Sequence, residues 1–232
     1  MIHTSGPTAD RLYSFLVEEE DARVCKDIPD EACTEVPGNF FKIGLSQILT
    51  KLADELGSAK TVLPWALSAV GAPSAFTGLL VPIRESGSLL PQLVIAAAVR
   101  GRSRRKGVWV LGAVLQALAL AGMALSIVFF RGLMAGVLVV GLLGFFSLAR
   151  GLVSVASKDV TGKTIPKTRR GRLTGYTTAF SGVLLVLLGG ILVAVVNDDS
   201  SRWVLALLLF FAALLWFIAG GVFATVRETP GA

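Results

Sequence analysis

Charged and amide side chains stand inside the first two long apolar stretches of the sequence. The candidates for a substrate or proton pathway there are Gln47, Lys51, Asp54 and Glu55 in the first stretch and Arg84, Glu85 and Gln92 in the second. A charge at mid-bilayer costs about 2.5–3.5 kcal/mol on insertion scales, whereas a large aliphatic residue returns only about 0.3–0.6 kcal/mol. These charges therefore predict a water-filled cavity, enclosed by protein, in which they neutralise one another.

Two explanations of these charges stay open. In the first, Glu85 or Asp54 takes up a coupling proton while Lys51 or Arg84 holds an anionic group or the empty-state carboxylate. In the second, the charges are structural ion pairs: Lys51 with Glu55, at an i,i+4 spacing, and Arg84 with a partner on the first span. Both explanations require the two stretches to pack against each other inside the membrane.

The composition predicts an all-α polytopic membrane protein. With 53% apolar and 16% charged residues, the 232-residue chain is too apolar for an ordinary soluble domain, in which charged residues make up about a quarter. The net charge of +6 lies in short basic clusters that suit lipid headgroups rather than a nucleic acid. No nucleophile–base set, metal spacing or phosphate loop is evident, so neither an enzyme nor a cofactor or metal is expected. Cys25 and Cys33 are expected to be reduced thiols.

The first two spans have two possible registers. If residues 42–58 lie along the membrane surface and the first span covers 61–82, the second span keeps only residues 87–99, about 20 Å of helix against a hydrocarbon core of about 30 Å. If span 1 covers 42–69 and span 2 covers 76–99, with a turn at Gly71 to Ser74, both are long enough. The second register is therefore favoured.

Four further spans are predicted at 107–130, 132–156, 173–196 and 203–226. Residues 1–39 form an acidic N-terminal tail, 40–228 a six-helix bundle and 229–232 the start of a linker or C-terminal tail. The loops between spans 2 and 3 and between spans 4 and 5 hold five and six basic residues, which are retained in the cytoplasm. Both termini are therefore predicted to be cytoplasmic, in the inner membrane. Gly132 and Gly136 form a G-x-x-x-G pair, which predicts close helix packing.

The second basic loop carries the closest match to a known family. The segment KDVTGKTIPKTRRGRLTG, residues 158–175, resembles the loop between helices 4 and 5 of the major facilitator superfamily, in which an acid, a proline and an Arg-Gly lead to a helix-starting glycine. The matching positions are Asp159, Pro166, Arg170, Gly171 and Gly175.

The first basic loop stands where that superfamily carries its G-x-x-x-D-R-x-G-R-R signature. Arg104 and Arg105 match the closing pair. The expected glycine, aspartate, arginine and glycine are replaced by Ala96, Arg100, Gly101 and Ser103. Arg150, followed by Gly151, is similar to the superfamily's helix-4 arginine, which is often linked to proton handling.

The resemblance implies the N-terminal six-helix half of a secondary transporter that moves a small solute by alternating access, coupled to protons. The expected partners are then the lipid bilayer, the solute, protons and a second six-helix half, supplied by a longer chain or by a second copy. The alternative is a membrane-embedded assembly or sensor protein that does not transport and whose acidic tail binds a partner. The substrate is left open.

Overall fold

The computed structural model describes residues 13, 28, 30–89, 105–195 and 201–228, and every regular element among them is helical. A single turn, Asp30–Cys33, comes first. The helices that follow are α1 (Val36–Leu56), α2 (Val62–Ala69), α3 (Ser74–Leu89), α4 (Lys106–Phe129), α5 (Gly132–Thr164), α6 (Lys167–Val195) and α7 (Arg202–Ala224).

Helices α4 to α7 are each long and apolar enough to cross a bilayer. The shortest of them has 23 residues, which at a rise of about 1.5 Å per residue exceeds the hydrocarbon thickness. Their outward faces are apolar too: Phe129 and Val186 are 72% and 77% exposed. Side chains of this kind are stable on the surface only if lipid covers them. Within the described residues, the predicted all-helical class is confirmed, and four of the six predicted spans are present as helices long and apolar enough to cross a membrane; α1, α2 and α3 are not among them.

The connection between α5 and α6 is shorter than predicted. The sequence indicated a loop from Ser157 to Arg172, but α5 continues to Thr164 and α6 begins at Lys167. Pro166 causes the separation, because proline restricts the residue before it to an extended conformation and Ile165 has φ −122° and ψ 126°. The basic segment is therefore helical on both sides of this corner.

The first predicted span is a broken helix. α1 ends at Leu56, residues 57–61 are not helical, and α2 resumes at Val62. The chain then turns at Gly71, whose φ of +69° suits glycine, and α3 starts at Ser74. A single helix over 61–82 is therefore not formed, and the chain turns at Gly71, within the predicted turn. α3 is described as far as Leu89, so Gln92 and the rest of predicted span 2 lie outside the described residues.

The helices form a bundle in which α7 packs against α1, α2 and α4, while α5 packs against α4 and α3 and α6 packs against α1. Aromatic side chains fill the centre. Trp109 of α4 stacks on Phe223 of α7 at 3.9 Å between ring centroids, and Phe146 of α5 meets Trp216 edge-on at 6.3 Å. This aromatic core holds α5 and α7 in fixed positions relative to each other.

One end of the bundle is basic and the other carries the tight turns. Lys42 and Lys106 donate to the carbonyl oxygens of Thr225 and Val226, so the starts of α1 and α4 meet the end of α7 at what we call the basic end. At the opposite end, the turn end, Gly132 donates its N–H to Val70.

Cys33 is disulfide-bonded, which corrects the prediction that it is a reduced thiol. A spacing that suits no metal site can still suit a disulfide. The prediction for Cys25 lies outside the described residues.

Candidate functional site

Three charged residues that are distant in the sequence meet at one carboxylate. The Asp54 carboxylate of α1 accepts from Arg150 of α5 at 2.5 Å through Oδ2 and from Arg84 of α3 at 3.4 Å through Oδ1. We call these three residues the Asp54 cluster. It holds two cations against one anion, so it carries an excess positive charge and keeps Asp54 in close contact with guanidinium groups on both sides.

Arg84 also binds the backbone at the end of α1. It donates to the Gly57 carbonyl at 2.7 Å and to the Asp54 carbonyl at 3.4 Å. The last carbonyls of a helix lack intrahelical partners and carry partial negative charge, so a cation at this point satisfies both needs. The guanidinium also lies 5.5 Å from the centroid of the Phe146 ring. Arg84 therefore stabilises the helix break itself.

The break lies at the depth of the apolar helices. A Cβ atom added to Gly57 would meet Leu120, near the middle of α4, at 2.7 Å. Asp54 lies one helical turn from Gly57, and its partner Arg150 belongs to α5, so the Asp54 cluster lies beside helices long enough to span the bilayer and not at their ends.

Two cavities meet at the cluster. The turn-end cavity has a volume of about 220 Å³, and its polar lining beyond the cluster comes from Glu55, Ser58, Lys60 and Glu85. The basic-end cavity has a volume of about 320 Å³, and its polar lining beyond the cluster comes from Gln47, Thr50, Lys51, Ser154, Ser157 and Lys158, with Trp216 beside them. Asp54 and Arg150 line both cavities, so their ion pair lies where the two cavities adjoin.

Glu55 and Glu85 differ from Asp54 in their surroundings. Both line the turn-end cavity, and within the described residues neither carboxylate forms an ion pair or a hydrogen bond. The i,i+4 pair of Lys51 with Glu55 is not formed, because Lys51 instead donates to Thr178 of α6 at 3.1 Å. Of the two structural ion pairs considered from the sequence, only that of Arg84 with the first span is present.

Comparison with known proteins gave no match: no protein-family model, curated protein or solved structure is similar to this chain.

The residues matched to the superfamily's loops meet at the basic end. Arg105 pairs with Asp159 at 3.1 Å. This ion pair joins the start of α4 to the part of α5 that continues beyond the predicted end of its span at residue 156. Arg170 donates to the carbonyls of Gly162 and Ile165 and so caps the C-terminus of α5. Gly175 does not start a helix as expected, because α6 begins at Lys167, directly after the proline. Gly171 also lies within α6, and Arg104 is outside the described residues.

Several residues of the site were missed in the sequence. Lys60 lies in the break, which no pattern indicated, and Thr178 lies in a predicted span without charges, where its hydroxyl was not a candidate. Gln47 was a candidate, but its partner Thr177, whose hydroxyl donates to it at 3.3 Å, was not. Trp216 belongs to an apolar helix face, where the usual role of tryptophan is packing. Only the packing of the helices against one another brings these residues to the site, so no local sequence pattern indicates them.

Glu228 was also missed, and it closes the basic end. Its side chain is fully buried and accepts the backbone N–H groups of Arg105 and Lys106, both at 2.8 Å, while Lys163 lies 3.7 Å away. These N–H groups open α4, so a carboxylate from beyond α7 caps a helix that lies more than a hundred residues earlier.

Proposed function

We propose that this chain is the N-terminal six-helix half of a secondary transporter of the major facilitator type, which moves a small solute across the cytoplasmic membrane by alternating access coupled to protons. In this proposal α1 and α2 together form the first span, α3 and the residues after it form the second, and α4 to α7 are the remaining four. The observation that carries it is the Asp54–Arg150 ion pair lying where two cavities adjoin.

Alternating access requires a central barrier that can be opened from either side. A bound solute or a proton can break an ion pair, whereas it cannot remove a packed apolar core. The Asp54–Arg150 pair lines both cavities and lies at the depth of the spanning helices. Rocking of α1 against α5 would separate the pair and join the cavities.

The break at residues 57–61 supports the same proposal. Transporters place non-helical backbone at membrane depth where it is enclosed by protein or lines a cavity, because free peptide groups then bind solutes or ions. Ser58 and Lys60 of the break line the turn-end cavity. The Gly57 carbonyl is already held by Arg84.

In this proposal Glu85 carries the coupling proton. Its carboxylate lines the turn-end cavity and forms no salt bridge or hydrogen bond with a described residue, whereas Asp54 is held by two arginines. Proton coupling needs a group whose charge can change without destroying the fold, and Glu85 meets that condition better than Asp54.

The basic end is the cytoplasmic end in this proposal, since arginine and lysine are retained there during insertion. The alternative of an assembly or sensor protein has less support. Glu35 of the tail already pairs with Arg227 at 2.6 Å, and Tyr13 accepts from Arg169, so both tail residues are occupied within the chain.

Transport can be tested in proteoliposomes that contain the protein together with its second half. With an inward proton gradient and an internal pH dye, a panel of sugars, amino acids, amines and organic or inorganic anions would be added one at a time. We expect at least one solute to accelerate proton entry, and Glu85→Gln to abolish that acceleration. Wild-type liposomes that move neither protons nor solute would overturn the proposal, and full proton coupling in Glu85→Gln would remove the role of Glu85.

A further inference from the structure

The basic-end cavity has the chemistry of a site for a small anion. Its lining contains the cations Lys51, Arg150 and Lys158 against one carboxylate, Asp54, which leaves an excess of two positive charges. The hydroxyls of Thr50, Ser154 and Ser157 add further donors. The turn-end cavity differs, because it contains the carboxylates of Glu55 and Glu85. An anion is therefore attracted to the basic-end cavity and not to its neighbour.

The cations of this cavity have N–H donors that are not used in hydrogen bonds to described residues. Lys51 is bound only to the neutral hydroxyl of Thr178, and Lys158 forms no hydrogen bond or ion pair with any described residue. Arg150 uses one guanidinium nitrogen for Asp54, although a guanidinium offers five N–H donors. Cationic donors gathered in a concave site bind carboxylate and phosphate oxygens by charge-assisted hydrogen bonds.

Trp216 gives the cavity an apolar wall. Its side chain lines the cavity and is 2% exposed, and its indole N–H is buried away from the cavity surface, without an acceptor in the described part of the chain. The ring excludes water on this side of the cations, and charge-assisted hydrogen bonds are stronger where water is excluded.

We propose that the basic-end cavity binds a small oxyanion, a carboxylate or phosphate of a few heavy atoms. The cavity volume of about 320 Å³ is at the small end of the range for ligand sites. That the bound oxyanion is the transported substrate rests on the proposed function, whereas oxyanion binding itself does not depend on transport. When the anion reaches Arg150 it competes with Asp54, so binding weakens the pair that lines both cavities.

Binding can be measured on the purified full chain by isothermal titration with sodium phosphate, acetate or lactate, against sodium chloride at equal ionic strength and against glucose. We expect saturable binding of an oxyanion and none of glucose. Lys51→Gln should weaken it about ten- to a hundredfold, since this variant removes a hydrogen bond from a charged donor. Trp216→Phe keeps an aromatic ring and removes the N–H, which is buried away from the cavity, so this variant should leave the affinity unchanged.

Two further variants keep the test decisive. Lys158→Gln changes an exposed side chain, so a weaker affinity in this variant cannot be attributed to misfolding. Arg131→Gln removes one positive charge at the turn end, and should leave the affinity unchanged. Absence of oxyanion binding, or equal affinity in all four variants, would overturn the inference.

Titrations in different lipids distinguish a soluble oxyanion from a lipid headgroup as the ligand. The titration is repeated in nanodiscs of phosphatidylcholine alone and in nanodiscs that also contain phosphatidylglycerol. Equal affinity for the free oxyanion in both supports a soluble ligand, while loss of binding in the anionic discs would show that the site takes a lipid headgroup. Oxyanion binding without transport would uphold this site and overturn the proposed function; proton-coupled uptake of an uncharged solute, with no oxyanion binding, would do the reverse.

Discussion

Asp54 and Arg150 are separated by 96 positions in the sequence, yet their side chains form a 2.5 Å ion pair that lines two adjoining cavities. Asp54 is partly shielded, with 20% of its side chain exposed, and Arg84 approaches its other oxygen. A carboxylate between two guanidinium groups is difficult to replace, because each arginine would lose its counter-charge in a region surrounded by apolar helices.

Asp54→Asn should therefore destabilise the bundle. Removing one partner of a fully buried pair costs about 3–5 kcal/mol, but the Arg150 side chain is 36% exposed, so we expect about 1–3 kcal/mol. Thermal unfolding of the purified protein measures the loss. Asp54→Glu keeps the charge and serves as the matched control. Equal unfolding temperatures for the wild type and Asp54→Asn would show that the pair contributes nothing to stability.

The same variant should open a path between the cavities. A cysteine placed at Ser154 in the basic-end cavity should react in the wild type with a membrane-impermeant maleimide added from the basic end only. With Asp54→Asn we expect reaction from both sides, because the barrier pair is missing. Labelling that stays one-sided would contradict the role of Asp54 as a barrier.

Arg84 should not be replaceable by lysine. Its two terminal nitrogens bind the Gly57 carbonyl and the Asp54 carboxylate at once, which a single ammonium group cannot reproduce at the same geometry. Arg84→Lys should lower stability by about 1–2 kcal/mol and Arg84→Gln by more, since glutamine also removes the charge. Hydrogen exchange at residues 57–61 should accelerate in both. If Arg84→Lys matched the wild type in both measurements, charge alone would explain the residue.

The sequence predicts the four long spans well because their signal is local. The span predicted at 107–130 is observed as Lys106–Phe129, and that predicted at 203–226 as Arg202–Ala224. Twenty apolar residues without charge have few alternatives in a membrane protein. The break in the first predicted span was harder to predict from the sequence. Gly57 and Ser58 alone are a weak signal for the end of a helix, and the side chain that binds the break, Arg84, lies 27 positions later.

The partners of the charged residues were predicted only in part. Neighbouring helical positions point about 100° apart, so whether Arg84 meets Asp54 or Glu55 depends on how α1 is rotated against α3. Lys51 illustrates the same point, because it reaches across to α6 rather than along its own helix to Glu55. Glu228 lies outside any span and bonds to residues more than a hundred positions away, so no local pattern could indicate its role.

Gly136 should tolerate no side chain. A Cβ atom there would lie 2.6 Å from the Phe76 ring of α3, whereas a Cβ atom on Gly141, one and a half turns further along α5, meets nothing within 4 Å. Gly136→Ala should therefore destabilise by about 1–3 kcal/mol through overpacking. Gly141→Ala should be neutral or slightly stabilising, because alanine favours helix. The unfolding temperatures of the two variants measure the difference, and equal values would show that α3 and α5 do not pack closely at this point.

Glu228 should hold the basic end closed. Its carboxylate caps α4 through the N–H groups of Arg105 and Lys106, so Glu228→Ala should cost about 1–2 kcal/mol, the usual effect of removing a helix N-cap. Hydrogen exchange at Arg105 and Lys106 should accelerate while the middle of α4, around Leu120, keeps its protection. Asp159→Asn is the matched control, since it removes the side-chain ion pair to Arg105 and leaves the cap in place. Exchange at these two amides that is faster in Asp159→Asn than in Glu228→Ala would show that the ion pair, and not the cap, anchors the start of α4.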